Sequence, residues 1–304
     1  MKKYGPFFLV LAGSISLAVF FWGCAKAPLP ETILLDMGAE TYMAFRLIPA
    51  GSFFMGSPPG AGPKAAGPRH EVYLDDYYMG VYEVSNRQFL IFVEETGYVT
   101  TVEKQSRAGR IYGAWKNREW GGVKGVSWRT PEGEGSTLEG RMDHPVVHIG
   151  WYDAEAFCSW LSGYSGHKVR LPAEAQWEKA ARAGDDSLIY PWGNTVDPAF
   201  ANIEVPGYPP GGTVRVDSFY PNLYGLYNLG GNVSEWTMDW YKKDYYRESP
   251  YQNPPGPPEG RSKTRRGGHW KFNPDWECRI ISRRQSNPTK NNYALVGFRC
   301  AIEP

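Results

Sequence analysis

Apolar and polar residues alternate over residues 45–57, FRLIPAGSFFMGS, and the pattern breaks at Pro49-Ala50-Gly51, which predicts two short strands. PPGAGPKAAGP (58–68) reads as a loop, and RHEVYLDDYYMGVYEVS (69–85) alternates again as strands do. Ser85 then predicts a helix cap, with Gln88 three residues on, Phe89, Leu90, Phe92 and Val93 as the buried face, and Gly97 as the stop. Residues 100–142 are polar and glycine-rich, and they read as long surface loops pinned by Trp115, Trp120 and Trp128. HPVVHIGW (144–151) reads as a strand. Asp153 opens a helix over AEAFCSWLSGY that closes near Gly163, and RLPAEAQWEKAARAG (170–184) predicts another, with Pro172 and Glu174 in the first turn and Gly184 at the end. Beyond it, strands and loops follow with no clear helix.

Strands and a few helices mingle without βα alternation. This argues for one α+β domain and against a doubly wound sheet. Gly 35 and Pro 25 in 304 residues, with Trp 12 and Tyr 20, suit short elements joined by many loops that aromatics hold down. The net charge of +1 offers no basic stripe for nucleic acid. The arginines at 261, 265, 266, 279, 283 and 284 read as a local solvated or salt-bridged face.

Lys2 and Lys3 precede an apolar run and then Gly23-Cys24, the layout of a secretory signal over 1–23. Cys24 resembles the acylated cysteine of a bacterial lipobox, although Phe21 and Trp22 are bulky there; an uncleaved anchor is the other reading. Either one tethers the chain in the cell envelope, with 24–43 as the tether and 44–304 as the domain. Export permits disulfides. With Cys24 lipidated, Cys158, Cys278 and Cys300 remain, enough for one bridge and one single thiol, and the residues alone leave the pairing open. His144 and His148 sit in the expected strand beside Pro145, about 13 Å apart and too far to share a metal, so both read as structural. His70 and His167 read as surface residues. Trp236 reads as core, while Trp240 and Tyr241 are candidates for lining a groove.

IPAGSFFMGS, YEVSNRQF, HPVVHIGWYDAEAFCSWL, RLPAEAQWEKAARAG, YPWGN, GLYNLGGNVSEWTMDW, RRGGHW and GFRCA occur in order over roughly 44–302. Together they resemble the formylglycine-generating enzyme / sulfatase-modifying factor family. The resemblance implies an irregular, loop-rich α+β fold similar to the C-type lectin-like superfamily. It implies oxidation of a substrate-protein cysteine in a Cys-x-Pro-x-Arg-type site by O2, with two enzyme cysteines holding Cu(I), a soft ion that thiolates select.

Here the chain departs from the family. Counted from Arg266-Gly267-Gly268, the two cysteine positions hold Phe272 and Glu277, one residue before Cys278, and the usual serine is His269. The two-sulfur clamp for Cu(I) is broken, and Cys278 and His269 are the only catalytic candidates left. The resemblance also implies a Cys158–Cys300 disulfide. It implies Ca2+ at Asn228, Gly231, Val233 and Glu235, a hard-oxygen set suited to that ion, and a second Ca2+ site at Asn202 and Ile203, whose aspartate loop is shortened to PGYPPGG (206–212). Two functions follow as expectations. One is a calcium-stabilised envelope module that binds a peptide, glycan or partner protein without formylglycine formation. The other is an oxidoreductase of the formylglycine-generating type, or a relative with other oxidative chemistry.

Overall fold

A computed structural model describes residues 28–109, 112–116, 119–207, 211–271, 274–289 and 294–304. The expected signal segment 1–23, Cys24 and Phe272 lie outside the described residues. In chain order the elements are β1 (Thr32–Asp36), β2 (Tyr42–Ile48), β3 (Gly51–Met55), β4 (His70–Leu74), β5 (Tyr77–Gly80), α1 (Asn86–Thr96), α2 (Thr101–Arg107), β6 (Tyr112–Lys116), β7 (Glu119–Val123), α3 (Trp151–Ser165), β8 (Lys168–Arg170), α4 (Glu174–Arg182), β9 (Ser234–Trp240), β10 (Lys263–Arg266), α5 (Pro274–Glu277), β11 (Arg284–Ser286), β12 (Val296–Gly297) and β13 (Ala301–Glu303). Mixed helices and strands without βα alternation make the expected α+β domain.

Two sheets organise the domain, a five-stranded one in the order β1-β2-β5-β13-β8 and a four-stranded one in the order β11-β10-β9-β12. The last strand, β13, slots between β5 and β8, so the C-terminus closes a sheet begun by the first strands. The core beside α1 and α3 is aromatic: Phe89 stacks on Phe157 at 5.8 Å and meets Trp128 edge-on at 5.1 Å. A second cluster gathers Trp177, Tyr77, Met79, Leu226 and Leu229 around α4.

Local signals hold where they are strongest. Ser85 accepts from the Gln88 N–H at 3.2 Å, the Gln88 side chain accepts from the Ser85 N–H at 2.9 Å, and Gly97 ends α1 at φ 66°. Four readings need correction. Residues 32–36, expected in the tether, pair in full register with β2, because Leu35 and Met37 bury themselves. The 100–142 segment holds α2, capped by Thr100 and Glu103, and the β6–β7 hairpin, although Trp128 does pin it to the core. The 144–151 segment makes one isolated bridge (Ser85 with Pro145) and then turns at His148, φ 59°, into α3. α3 runs past Gly163 to its cap at Gly166, φ 72°. Among the described residues, no helix is long and apolar enough to cross a membrane.

Candidate functional site

The 228–235 turn, the RRGG strand end and the 274–284 segment meet at the junction of the four-stranded sheet with α4. Gly267 and Gly268 adopt left-handed φ values of 89° and 66°. A Cβ on Gly268 would stand 2.8 Å from the Cys278 sulfur, so glycine is what lets the Glu277-Cys278 segment lie against this strand.

That packing sets the chemistry of Cys278. Its side chain is buried with Tyr190, Ala201 and Ile203 in an apolar cluster. Burial, and then the Glu277 charge, push the thiol up to about 12, against the opposing pull of the Gly231 and His269 backbone N–H groups. His269 is also buried, and its imidazole is lowered to about 3 by burial and by the charges of Arg265 and Arg284, so it is neutral. Glu277 is ion-paired with Arg284, whose Nε donates to Oε2 at 3.0 Å and whose Nη2 donates to Oε1. One inert thiol, one neutral ring and a committed carboxylate do not make a Cu(I) site of two soft ligands. Beside this segment lies a cleft of about 900 Å³ lined by Val196, Glu204, Val205, Pro206, Pro274 and Asp275. Lys271 reaches Glu204 at 3.2 Å.

Two of the calcium candidates, Asn228 and Glu235, lie beside a carboxylate that the sequence did not single out, Glu83. Asn228 Nδ2 donates to Glu83 Oε2 at 3.0 Å, and Asn232 Nδ2 donates to both Glu83 oxygens at 3.1 and 3.2 Å. Glu83 is fully buried, and burial and then the Glu235 charge raise its carboxyl to about 8. Glu235 is buried too; Arg299 donates to both its oxygens at 2.7 Å, and Trp177 Nε1 donates to Oε2 at 2.7 Å. A carboxylate oxygen accepts two hydrogen bonds, so Oε1 keeps a free lone pair. Two buried carboxylates beside one guanidinium supply hard oxygens of the kind a divalent cation would need. The Asn228 and Asn232 amides, however, turn N–H toward Glu83, and Asn232 Oδ1 accepts from Asn202 and Val214. Among the described residues, no three His, Cys, Asp or Glu side chains are grouped to hold a metal ion. In the sequence, the one hint of Glu83 is an acid between Tyr82 and Val84, just ahead of a helix cap.

At the second calcium candidate, Asn202 is taken up by structural bonds. Its Nδ2 donates to the Gly212 carbonyl at 2.9 Å and to Asn232 Oδ1 at 3.2 Å, while its carbonyl accepts from the Asn232 N–H. Ile203 is buried in the cluster around Cys278. Its ties make Asn202 a brace between the 202–203 and 228–235 segments, and Gly231 allows the approach, since a Cβ there would meet the Asn202 carbonyl oxygen at 2.6 Å.

Cys158 on α3 and Cys300 before β13 are buried thiols with sulfurs 3.4 Å apart. His144 and His148 line one cavity of about 220 Å³ with Trp270, Arg141 and Thr213. The strand spacing expected to separate them is absent, because the chain turns at His148. His148 is held neutral, lowered by burial to about 4, with its Nε2 bonded to the Pro131 carbonyl at 3.0 Å. Trp236 is core, as expected, while Trp240 and Trp151 clasp the Lys263 ammonium at 3.9 and 3.8 Å.

Residues 35–304 match the family described as sulfatase-modifying factor enzyme 1-like domain. The chain is 38% identical over 283 residues to the formylglycine-generating enzyme of Bos taurus, covering 84% of this chain and 74% of that one. It is 31% identical over 293 residues to the inactive C-alpha-formylglycine-generating enzyme 2 of Mus musculus, covering 88% of each. Among solved structures, PvdO from Pseudomonas aeruginosa is similar in fold, with a TM-score of 0.71 at 24% identity over 91% of this chain and all of that one.

Proposed function

The chain belongs to the sulfatase-modifying factor family, and from that premise we propose that it is a calcium-stabilised binding or scaffold module of the cell envelope, without formylglycine-generating activity. The observation that carries this reading is the Glu277–Arg284 ion pair. It stands where family enzymes place the second copper-holding cysteine, and the neighbouring Cys278 turns into the core instead. A thiol raised to about 12 supplies almost no thiolate near neutral pH. The cleft between 204–207 and 274–275 is the surface on which a peptide, glycan or partner protein would sit. Glu83, Asn228 and Glu235, with the backbone of Gly231 and Val233, would hold Ca2+ behind it and fix the turn that shapes it. The envelope address rests on Lys2, Lys3, the apolar run and Cys24 as the lipid anchor.

The deciding experiment is anaerobic Cu(I) titration of the purified chain, paired with aerobic incubation with a Cys-x-Pro-x-Arg peptide. No tight one-to-one copper binding and no aldehyde product are expected. Tight copper binding that Cys278→Ser abolishes, together with aldehyde formation, would restore the oxidoreductase reading.

A further inference from the structure

The strands that carry the RRGG motif hold a charge imbalance. Across the antiparallel pairing of β10 and β11, Arg265 stands directly opposite Arg284. Like charges so placed repel. The carboxylate whose charge reaches Arg265 is Glu277, and Arg284 holds both of its oxygens. The described residues include every Asp and Glu of the chain, and none forms an ion pair with Arg265. The Arg265 Nε is buried without a hydrogen-bond partner, while the residue as a whole keeps part of its surface accessible.

A guanidinium withdrawn from water with no counter-charge is costly, and the cost shows in the surroundings. Arg265 itself is lowered to about 10 by burial, with the Glu277 charge pulling the other way and Arg284 adding to the fall. The same two arginines help to keep His269 neutral. Two guanidiniums against one carboxylate leave a single positive charge at the place where family enzymes bind a cation. That field disfavours a metal ion and favours an anion.

We propose that Arg265, backed by Arg284 and bordered by His269, is a binding site for an oxyanion, the carboxylate or phosphate group of a ligand. With Nε shielded, the Nη1/Nη2 edge is the part left to meet a ligand, and its parallel N–H groups match two oxygens of such a group. The site rests on the reading of the chain as a binding module and specifies the ligand class for it. Glu277 acts as the internal competitor: bound to Arg284, it leaves Arg265 free for an incoming anion.

The test titrates the purified full chain with sodium phosphate and, separately, with sodium acetate, against sodium chloride at matched ionic strength, following calorimetric heat and the unfolding temperature. At least one of the two oxyanions gives saturable binding and a rise in Tm beyond the chloride control, and whichever does so identifies the preferred group. Arg265→Met, with Arg265→Gln as the second variant should the first not fold, weakens that binding at least about tenfold, a difference of about 1.4 kcal/mol. Arg284→Gln also weakens it, because the released Glu277 turns to Arg265, whereas Glu277→Gln strengthens it. Absence of any saturable response in the wild-type chain, or an unchanged response in the Arg265 variants, overturns the site. Copper and aldehyde assays on the same preparation keep the two failures apart, since an anion-negative, copper-negative protein loses only this site.

Discussion

Arg299 grips Glu235 through two hydrogen bonds of 2.7 Å, and both side chains are sealed from solvent. The pair joins the turn before β13 to the start of β9, and Arg299 also donates to the carbonyls of Gly80 and Tyr227. Removing one partner of a buried pair strands the other charge, at a typical cost of about 3–5 kcal/mol. Arg299→Met is therefore expected to lose stability of that order in urea unfolding with chelator present, since Glu235 then faces Glu83 with no cation between them. Calcium should recover part of the loss. A loss below about 1 kcal/mol would mean that the pair contributes little.

On the proposed calcium reading, Glu83 should make that binding depend on pH. Its folded carboxyl is raised to about 8, while the unfolded group keeps its ordinary value of 4.5. Between those values the folded state holds the extra proton, so metal-free stability is greatest at low pH and falls as pH rises toward 8, by at most about 1.4 kcal/mol per pH unit. A Ca2+ ion bound there would have to displace that proton. Calorimetry should therefore show calcium affinity rising by up to about tenfold per pH unit from pH 5 to 8, with close to one proton released per ion at the acid end. Glu83→Gln should flatten this dependence and weaken binding. A pH-independent affinity would remove Glu83 from the calcium set.

The parts of this molecule legible in its sequence are those decided within a few residues. The Ser85–Gln88 capping box and the Gly97 stop depend on neighbours only, and they stand where the pattern placed them, whereas α3 overruns Gly163 to Gly166 and α4 begins at Glu174, leaving Pro172 outside, and closes on Ala183 instead of Gly184. Strand β13 is short and its partners β5 and β8 lie far back along the chain, and β1, although it pairs with neighbouring β2, buries only Leu35, so alternation alone could not reveal either. The arginine cluster is salt-bridged, as one of its two readings expects, but part of it is not a solvated face. Arg266 and Arg283 look like solvated residues in sequence, yet they are buried against Glu174 and Glu178, about a hundred positions earlier. Glu83 escaped notice because a buried carboxylate looks like any surface acid until its partners are assembled around it. The loss of the copper pair was readable directly, because it needs only a count from the two glycines.

Cys158 and Cys300 are placed to be joined, 142 positions apart in sequence with sulfurs 3.4 Å apart. In an oxidising envelope the bridge is expected to form. The chain-entropy account gives a loop of this size about 4–5 kcal/mol. Intact-mass measurement before and after reduction should show a gain of two hydrogens, and reduction or Cys158→Ser should lower the unfolding midpoint substantially. Two free thiols in protein purified from the envelope would contradict the bridge.

Cys278 should behave as packing. Its thiol is raised to about 12 by burial and by Glu277, so native protein at pH 8 carries only a trace of thiolate. The Gly268 backbone lies across the sulfur, closing the approach to a reagent. Iodoacetamide should therefore leave Cys278 untouched in native protein while modifying it readily in urea, where the ordinary value of 9.0 returns. Peptide mapping separates it from Cys158 and Cys300. Labelling should follow the pH dependence and rate of local unfolding, and Glu277→Gln should lower the thiol's pKa slightly without making it quick to react, because burial is the larger cause. Fast native labelling near neutral pH would mean an activated nucleophile, and the segment after the two glycines would then have to be read as a reactive site.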